Sequence, residues 1–264
     1  MARTLTVGLL LWPLLCIRVD SRALAQDNKI MAEIDNAQNT LTEIIHVIDT
    51  AQSRQAMASR NHVALTVKVV TEPAWTSLFD GTTMGGWKRT DFFGGGKVHI
   101  DPTFRGGPAA IIVDAGSALS GITWTNNVPS TNFEIMLEAM KIEGQDFMCG
   151  LTFPVGDSHA SLILGGWGGS LVGISSIDDR DASENITERQ MPFPKDHWFR
   201  ILLRVTPEKL VAWLDEKKIV DVSIKGKKIS LRHGEIFKST PLGLATYQTT
   251  AAYREIKLRA FTAN

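Results

Sequence analysis

The chain has 264 residues, enough for one large domain or two small ones. Hydrophobic residues are 44% and charged residues 21%, too apolar for a disordered chain. Lys+Arg and Asp+Glu both number 28, so there is no basic excess to hold a nucleic acid backbone, and that partner class is set aside. With 22 Gly and 7 Trp against 2 Tyr, the composition suggests many turns around a large β-rich core.

In chain order, residues 1–25 read as a signal peptide. Arg3 supplies a positive start, and the apolar run from Leu5 to Ile17 is shorter than the roughly 20 residues of a spanning helix. Ala23-Leu24-Ala25 is a small-x-small cleavage site with Gln26 as the expected mature start, which predicts an exported, periplasmic or extracellular bacterial protein with no membrane span. Cleavage removes Cys16 and leaves Cys149 without a disulfide partner. Cys149 lies in the apolar run Phe147-Met148-Cys149-Gly150-Leu151, and a buried, inert thiol is expected there.

Residues 26–60 form a separate segment. Ile30, Ile34, Ala37, Leu41, Ile44, Ile48 and Ala51 recur at steps of 4 and 3, with no Gly or Pro, which predicts a helix over 27–58. Its stripe fits two partners: the protein's own sheet, or another copy in a homo-oligomer. From residue 61 to 264 the period becomes 2. Val63, Leu65, Val67 and Val69 alternate with smaller or polar residues, as do Phe133 to Ala139, where Glu134 and Glu138 take the outer face. Trp198 to Val205 is a further strand. Leu210 to Leu214, Asp215-Glu216-Lys217 and Ile219 to Val222 read as a hairpin; Leu242 to Tyr247 and Tyr253 to Leu258 close the chain. Gly pairs and triplets punctuate the interior without interleaved helices. This predicts a mainly β, two-sheet antiparallel sandwich preceded by one N-terminal α-helix. The tryptophans 75, 87, 124, 198 and 213 fall within strand patterns and are expected in the core.

Several segments carry a resemblance. Leu78-Phe79-Asp80-Gly81-Thr82-Thr83-Met84-Gly85-Gly86-Trp87, then Trp198-Phe199-Arg200-Ile201, Ala212-Trp213-Leu214-Asp215 and Val220-Asp221, and finally Pro241-Leu242-Gly243-Leu244 with Tyr253-Arg254-Glu255-Ile256-Lys257-Leu258 follow one another in a set order. Over residues 75–260 the chain resembles the 3-keto-disaccharide hydrolase domain family. The resemblance implies a concanavalin- or laminin-G-like jelly roll, a carbohydrate substrate, and cleavage of 3-keto-glycosides. One departure stands out. The family commonly follows its Gly-Leu-x-Phe segment with Arg and a strand bearing Glu, Gln and Asp. Here Gly150-Leu151-Thr152-Phe153 is followed by Pro154 and by Ser158-His159-Ala160-Ser161-Leu162-Ile163-Leu164-Gly165. The family's usual roles therefore do not transfer.

The implied reaction needs a base for the acidic C2 hydrogen, an acid for the leaving oxygen, and a donor for the enolate. His159 is the candidate base, with Asp157 two residues away on the same side of an extended strand to orient it. Trp167, inside Gly165-Gly166-Trp167-Gly168-Gly169, is the candidate sugar platform or else a core indole in a Gly-bent strand. Asp178, Asp181 and Glu184 lie in one acidic loop. Asp181 and Glu184 are acid candidates and Asp178 a substrate-binding one; the same three could hold Ca²⁺ or a similar cation, although no clear motif marks such a site and no cofactor is expected. Asn185-Ile186-Thr187 fits a glycosylation sequon. Three functions compete: an exported 3-keto-glycoside-cleaving enzyme, a non-catalytic carbohydrate-binding sandwich, and a scaffold assembled through helix 27–58.

Overall fold

The computed structural model describes residue 37, residues 39–48 and residues 73–262. Two compact units divide the chain, Met1–Val69 and Val70–Asn264. In the first, residues 37 and 39–48 are helical, as the period of 3.6 requires. The expected signal peptide of residues 1–25, the rest of the predicted helix 27–58 and the alternating Val63–Val69 segment lie outside the described residues.

Among the described residues, the second unit holds fifteen strands: β1 (Thr76–Ser77), β2 (Trp87–Arg89), β3 (Val98–Asp101), β4 (Ala110–Val113), β5 (Leu119–Trp124), β6 (Phe133–Gly144), β7 (Cys149–Val155), β8 (Ser158–Gly165), β9 (Leu171–Ser175), β10 (Arg189–Gln190), β11 (Trp198–Val205), β12 (Lys209–Leu214), β13 (Lys217–Ser223), β14 (Leu242–Tyr247) and β15 (Thr249–Ala260). They form two antiparallel sheets. The first runs β13-β12-β11-β6-β15-β4-β3, with β1 also on β15; the second runs β10-β9-β8-β7-β14-β5-β2. Consecutive strands repeatedly change sheet, which is the jelly-roll arrangement.

Alternation decides what each face holds. Phe133, Ile135, Leu137 and Ala139 of β6 face Leu151 and Phe153 of β7, Leu162 and Leu164 of β8, and Leu244 of β14 in one buried core. At roughly 25 cal/mol per Å² of apolar surface, this layer is the main driving force for folding. Cys149 sits in it, and burial pushes its thiol up to about 12, so it is inert. The motif from Leu78 to Trp87 is a structural clasp. Trp87 is buried and donates its indole N–H to the Leu78 carbonyl at 2.9 Å. Asp80 accepts the backbone N–H groups of Thr82 and Thr83, which hold its carboxyl below the usual carboxylate range.

The outer face of the first sheet is saturated. Glu134, with no exposed surface, lies between Arg204 and Arg259 at 2.5 Å each; Glu138 lies between Arg254 at 2.7 Å and Arg200 at 3.8 Å. Three tryptophans expected in the core lie on this face, half-buried, and Trp198 packs there against the buried cluster of Phe104, Ile112 and Met140. Trp198 lies under the Arg254 guanidinium at 4.0 Å, Trp75 under Arg259 at 4.6 Å and Trp213 under Arg204 at 5.8 Å. The physical reason is that a guanidinium over an indole adds cation–π attraction, about 0.5–2 kcal/mol, to partial burial on an arginine-rich sheet face. Trp87 is the tryptophan that matches the expectation most fully, with Trp124 packed edge-on beside it.

Candidate functional site

The second sheet's outer face is different. Its register places Thr123, Gly243, Thr152, Ser161 and Ser175 in one row across β5, β14, β7, β8 and β9. The neighbouring row is Gly121, Ala245, Gly150, Ile163 and Gly173. Small side chains let loops pack directly on the sheet. A Cβ on Gly173 would stand 2.9 Å from the Ala182 carbonyl oxygen, and one on Gly243 would stand 2.6 Å from the Ser239 Cβ. The loop around Ala182 and Thr187 and the turn at Ser239 thus rest on this face.

The two covering segments are joined at their base. Ser176 and Ser230 exchange backbone hydrogen bonds of 2.8 and 3.2 Å. Asp178 accepts the Lys228 N–H at 2.9 Å and the Lys227 ammonium at 3.1 Å, and these two donors, the backbone one foremost, hold its carboxyl below the ordinary value. Asp178 is therefore committed to joining the segments. Asn185 stiffens the loop. Its Nδ2 donates to the carbonyls of Ile174 and Asp181 at 2.8 Å and of Arg180 at 3.1 Å, while its Oδ1 accepts from the Thr187 hydroxyl at 2.6 Å. The amide that a glycosylation sequon would offer is thereby occupied.

Between the segments lies a cleft of about 470 Å³ lined by Ser176, Asp179, Asp181, Glu184, Ser230, Leu231, Arg232 and His233. Asp181 accepts the Ser175 hydroxyl at 2.6 Å and pairs with Arg232 at 2.9 Å. The Arg232 guanidinium lies 5.0 Å from the Trp167 ring centre. Trp167 therefore leans over the same outer face, 41% exposed, and is not a core indole. Its backbone is left-handed (φ 47°), followed by Gly168 at φ 90°, and only glycine adopts the latter at no cost. Asp146 fixes this turn by accepting the Gly168 N–H at 3.1 Å.

Of the residues singled out in the sequence, the structure brings Asp181, Glu184 and Trp167 together. His159 shares the outer face of β8 with Ser161, opposite Pro154; its backbone lies roughly 20 Å along the strand from the Trp167 turn, while the neighbouring Ser161 pairs with Ser175, whose hydroxyl binds Asp181. Burial pulls its imidazole below the ordinary histidine value. Asp157 occupies the β7–β8 turn and lines a different concavity with Thr131, Ser158 and Lys227. No hydrogen bond or ion pair joins it to His159 among the described residues. Sequence reasoning missed Arg232 and His233, about fifty residues beyond the acidic loop. The adjacent Arg-His-Gly of residues 232–234 was the signal present in the chain. Among the described residues, no three His, Cys, Asp or Glu side chains are grouped to hold a metal ion.

The domain is thus a two-sheet jelly roll with one face closed by ion pairs and one loop-covered polar cleft. The chain belongs to the 3-keto-alpha-glucoside-1,2-lyase-like domain family, whose model matches residues 74–259. No curated protein matches it. Among solved structures it is similar to the carbohydrate binding module CBM66 from Bacillus subtilis (14% identity, 66% of this chain and 96% of that one, TM-score 0.43). Domain 4 of AbnA, a GH43 extracellular arabinanase from Geobacillus stearothermophilus, matches at 13% identity over 67% and 84%, with TM-score 0.44. The catalytic domain of a glycoside hydrolase family 131 protein from Coprinopsis cinerea matches at 10% over 67% and 84%, with TM-score 0.38. These are resemblances of architecture only.

Proposed function

We propose that the protein is an exported enzyme that cleaves 3-keto-glycosides in the cleft between residues 176–184 and 230–233. The observation that carries this reading is the convergence of Trp167, Arg232, Asp181, Glu184 and His233 on one face of a domain of this family. In a 3-keto-sugar the hydrogen on C2 is acidic. The His233 imidazole accepts that proton, and histidine is the side chain suited to proton exchange near neutral pH. The C2–H electrons form the C1–C2 double bond, the C1–O bond breaks, and the leaving oxygen takes a proton from Glu184. Water then adds at C1 and a proton returns to C2, giving net hydrolysis. Asp181 is engaged by Arg232 and Ser175, which leaves Glu184 as the less committed carboxyl. Arg232, oriented by Asp181, supplies positive charge for the enolate oxygen at C3. Trp167 provides the apolar edge against which a sugar ring stacks.

A second reading, a sugar-binding module without turnover, draws support from the floor beside His159, where Pro154, Ser161 and Ile163 stand in place of carboxylates. The deciding experiment is incubation of purified protein with 3-keto-glucosides, following release of the aglycone. His233→Ala is expected to lower turnover by about 10² to 10⁴, with His159→Ala near wild type. Tight binding without release would sink the enzymatic reading and select the binding module. The reverse pattern of the two histidines would return the base to His159.

A further inference from the structure

Lys141 is a charge without a counter-charge. The inward row of β6 is Phe133, Ile135, Leu137 and Ala139, none with exposed surface, and alternation makes Lys141 its next member. Only 6% of Lys141 is exposed, and its ammonium makes no hydrogen bond or ion pair among the described residues. It is not sealed off either: the enclosed side-chain atoms that lack a partner belong to Thr131, Asn132, Ser239 and Thr246. Lysine is almost never buried to this degree unless it is paired, because nothing else offsets the lost hydration of the charge.

The surroundings leave that counter-charge missing. Burial foremost, then the like charge of Lys195, pulls the Lys141 ammonium below the ordinary lysine value. Asp146 opposes them but is already engaged, accepting the Phe147 N–H at 2.7 Å and the Gly168 N–H at 3.1 Å. Cations around the cleft are placed differently. Arg232 is paired with Asp181, Lys227 with Asp178 and Lys228 with Asp179. Gly169 keeps room at the Lys141 ammonium, since a Cβ there would stand 3.7 Å from the Nζ. Trp167 is two residues before Gly169, at most about 7.6 Å of chain, so the ammonium borders the turn that carries the exposed indole.

We propose that Lys141, with Lys195 beside it, is an anion subsite that takes the carboxylate of an acidic sugar stacked on Trp167, a site that rests on the reading of Trp167 as the sugar platform. The carboxylate supplies the missing counter-charge and accepts a charge-assisted hydrogen bond from the ammonium. A neutral sugar leaves the ammonium as it was, so the subsite selects a uronate over its neutral counterpart.

Titration calorimetry on the full chain with methyl β-glucuronide and methyl β-glucoside, which differ only in carboxylate against hydroxymethyl, tests this. The glucuronide is expected to bind about tenfold tighter at low salt, the usual contribution of a hydrogen bond to a charged group. Lys141→Met keeps the length of the stem and removes the charge. It should bring the two ligands to the same Kd, leave the glucoside unchanged and melt no lower than wild type, because no ion pair is lost. Trp167→Ala should weaken both ligands. Equal affinities in the wild-type protein would overturn the anion subsite, as would a preference that survives Lys141→Met. Inorganic phosphate that binds while the glucuronide shows no preference would leave a site for free anions only and overturn the acidic sugar. Binding of neither glycoside would remove Trp167 as a platform and this inference with it, whereas a failed anion subsite alone leaves both bound alike.

Discussion

Trp167 is exposed because of its neighbours: glycines at 165, 166, 168 and 169 remove the side chains that would cover it, and the left-handed turn projects it toward Arg232. Replacing Trp167 with Ala should weaken sugar binding by about 1 kcal/mol or more, several-fold in Kd, with the fold intact; titration calorimetry reads the effect. His159 should show itself in stability rather than turnover. Burial lowers its folded-state value below the ordinary 6.5, so the unfolded chain binds the proton more readily. The stability it contributes is full above about 6.5 and is lost as pH falls from there through the lowered value. Chemical denaturation between pH 7 and 5 should therefore show a slope that His159→Gln reduces, and an unchanged slope would refute this. Both residues were legible in the chain as chemistry-bearing types. Their separation along β8 was not, because strand alternation specifies a face but not which loops return to it.

At the scale of elements, the acidic loop is held by packing on Gly173 and by the amide of Asn185. Gly173→Val puts side-chain atoms where the Ala182 carbonyl now lies, and the loop has to lift. Sugar binding should fall sharply while the melting temperature changes little, since the core beneath keeps Val172 and Ile174. Asn185→Ala leaves three carbonyls without their donor and should cost about 1–3 kcal/mol, read by thermal melting. The strands themselves were readable from alternation, and Trp198–Val205 and Leu242–Tyr247 match to the residue. The segment of residues 228–239 was not readable. It has neither period, and its place over the second sheet depends on the Ser176–Ser230 pair and on Asp178, contacts across some fifty residues of sequence.

For the molecule as a whole, the reading of residues 1–25 as a signal peptide predicts that the exported protein begins at Gln26. Intact-mass measurement on the exported protein settles the matter, and a chain retaining residues 1–25 would contradict it. The family's sequence landmarks proved to be parts of the frame. Trp87 and Asp80 close the first clasp, Asp215 accepts the Arg200 N–H at 2.8 Å in the hairpin, and Tyr253 reaches the Met148 carbonyl of the opposite sheet. That explains why membership was visible in residues 75–260 while the cleft was visible only in part: motifs that shape a sandwich recur at fixed spacings, whereas the cleft is assembled from loops, of which the sequence singled out Trp167, Asp181 and Glu184 but not Arg232. By itself, the sequence determined the β class, the helical stripe, the inert thiol and the family, all of which follow from local period or from residue type. Only the tertiary structure decided that three tryptophans lie beside arginines on the outer face of a sheet, that Asp178 and Asn185 hold loops in place, and that Arg232 and His233 complete the cleft. Those outcomes depend on which distant segments share a sheet face, and that is set by strand order and register across the two sheets.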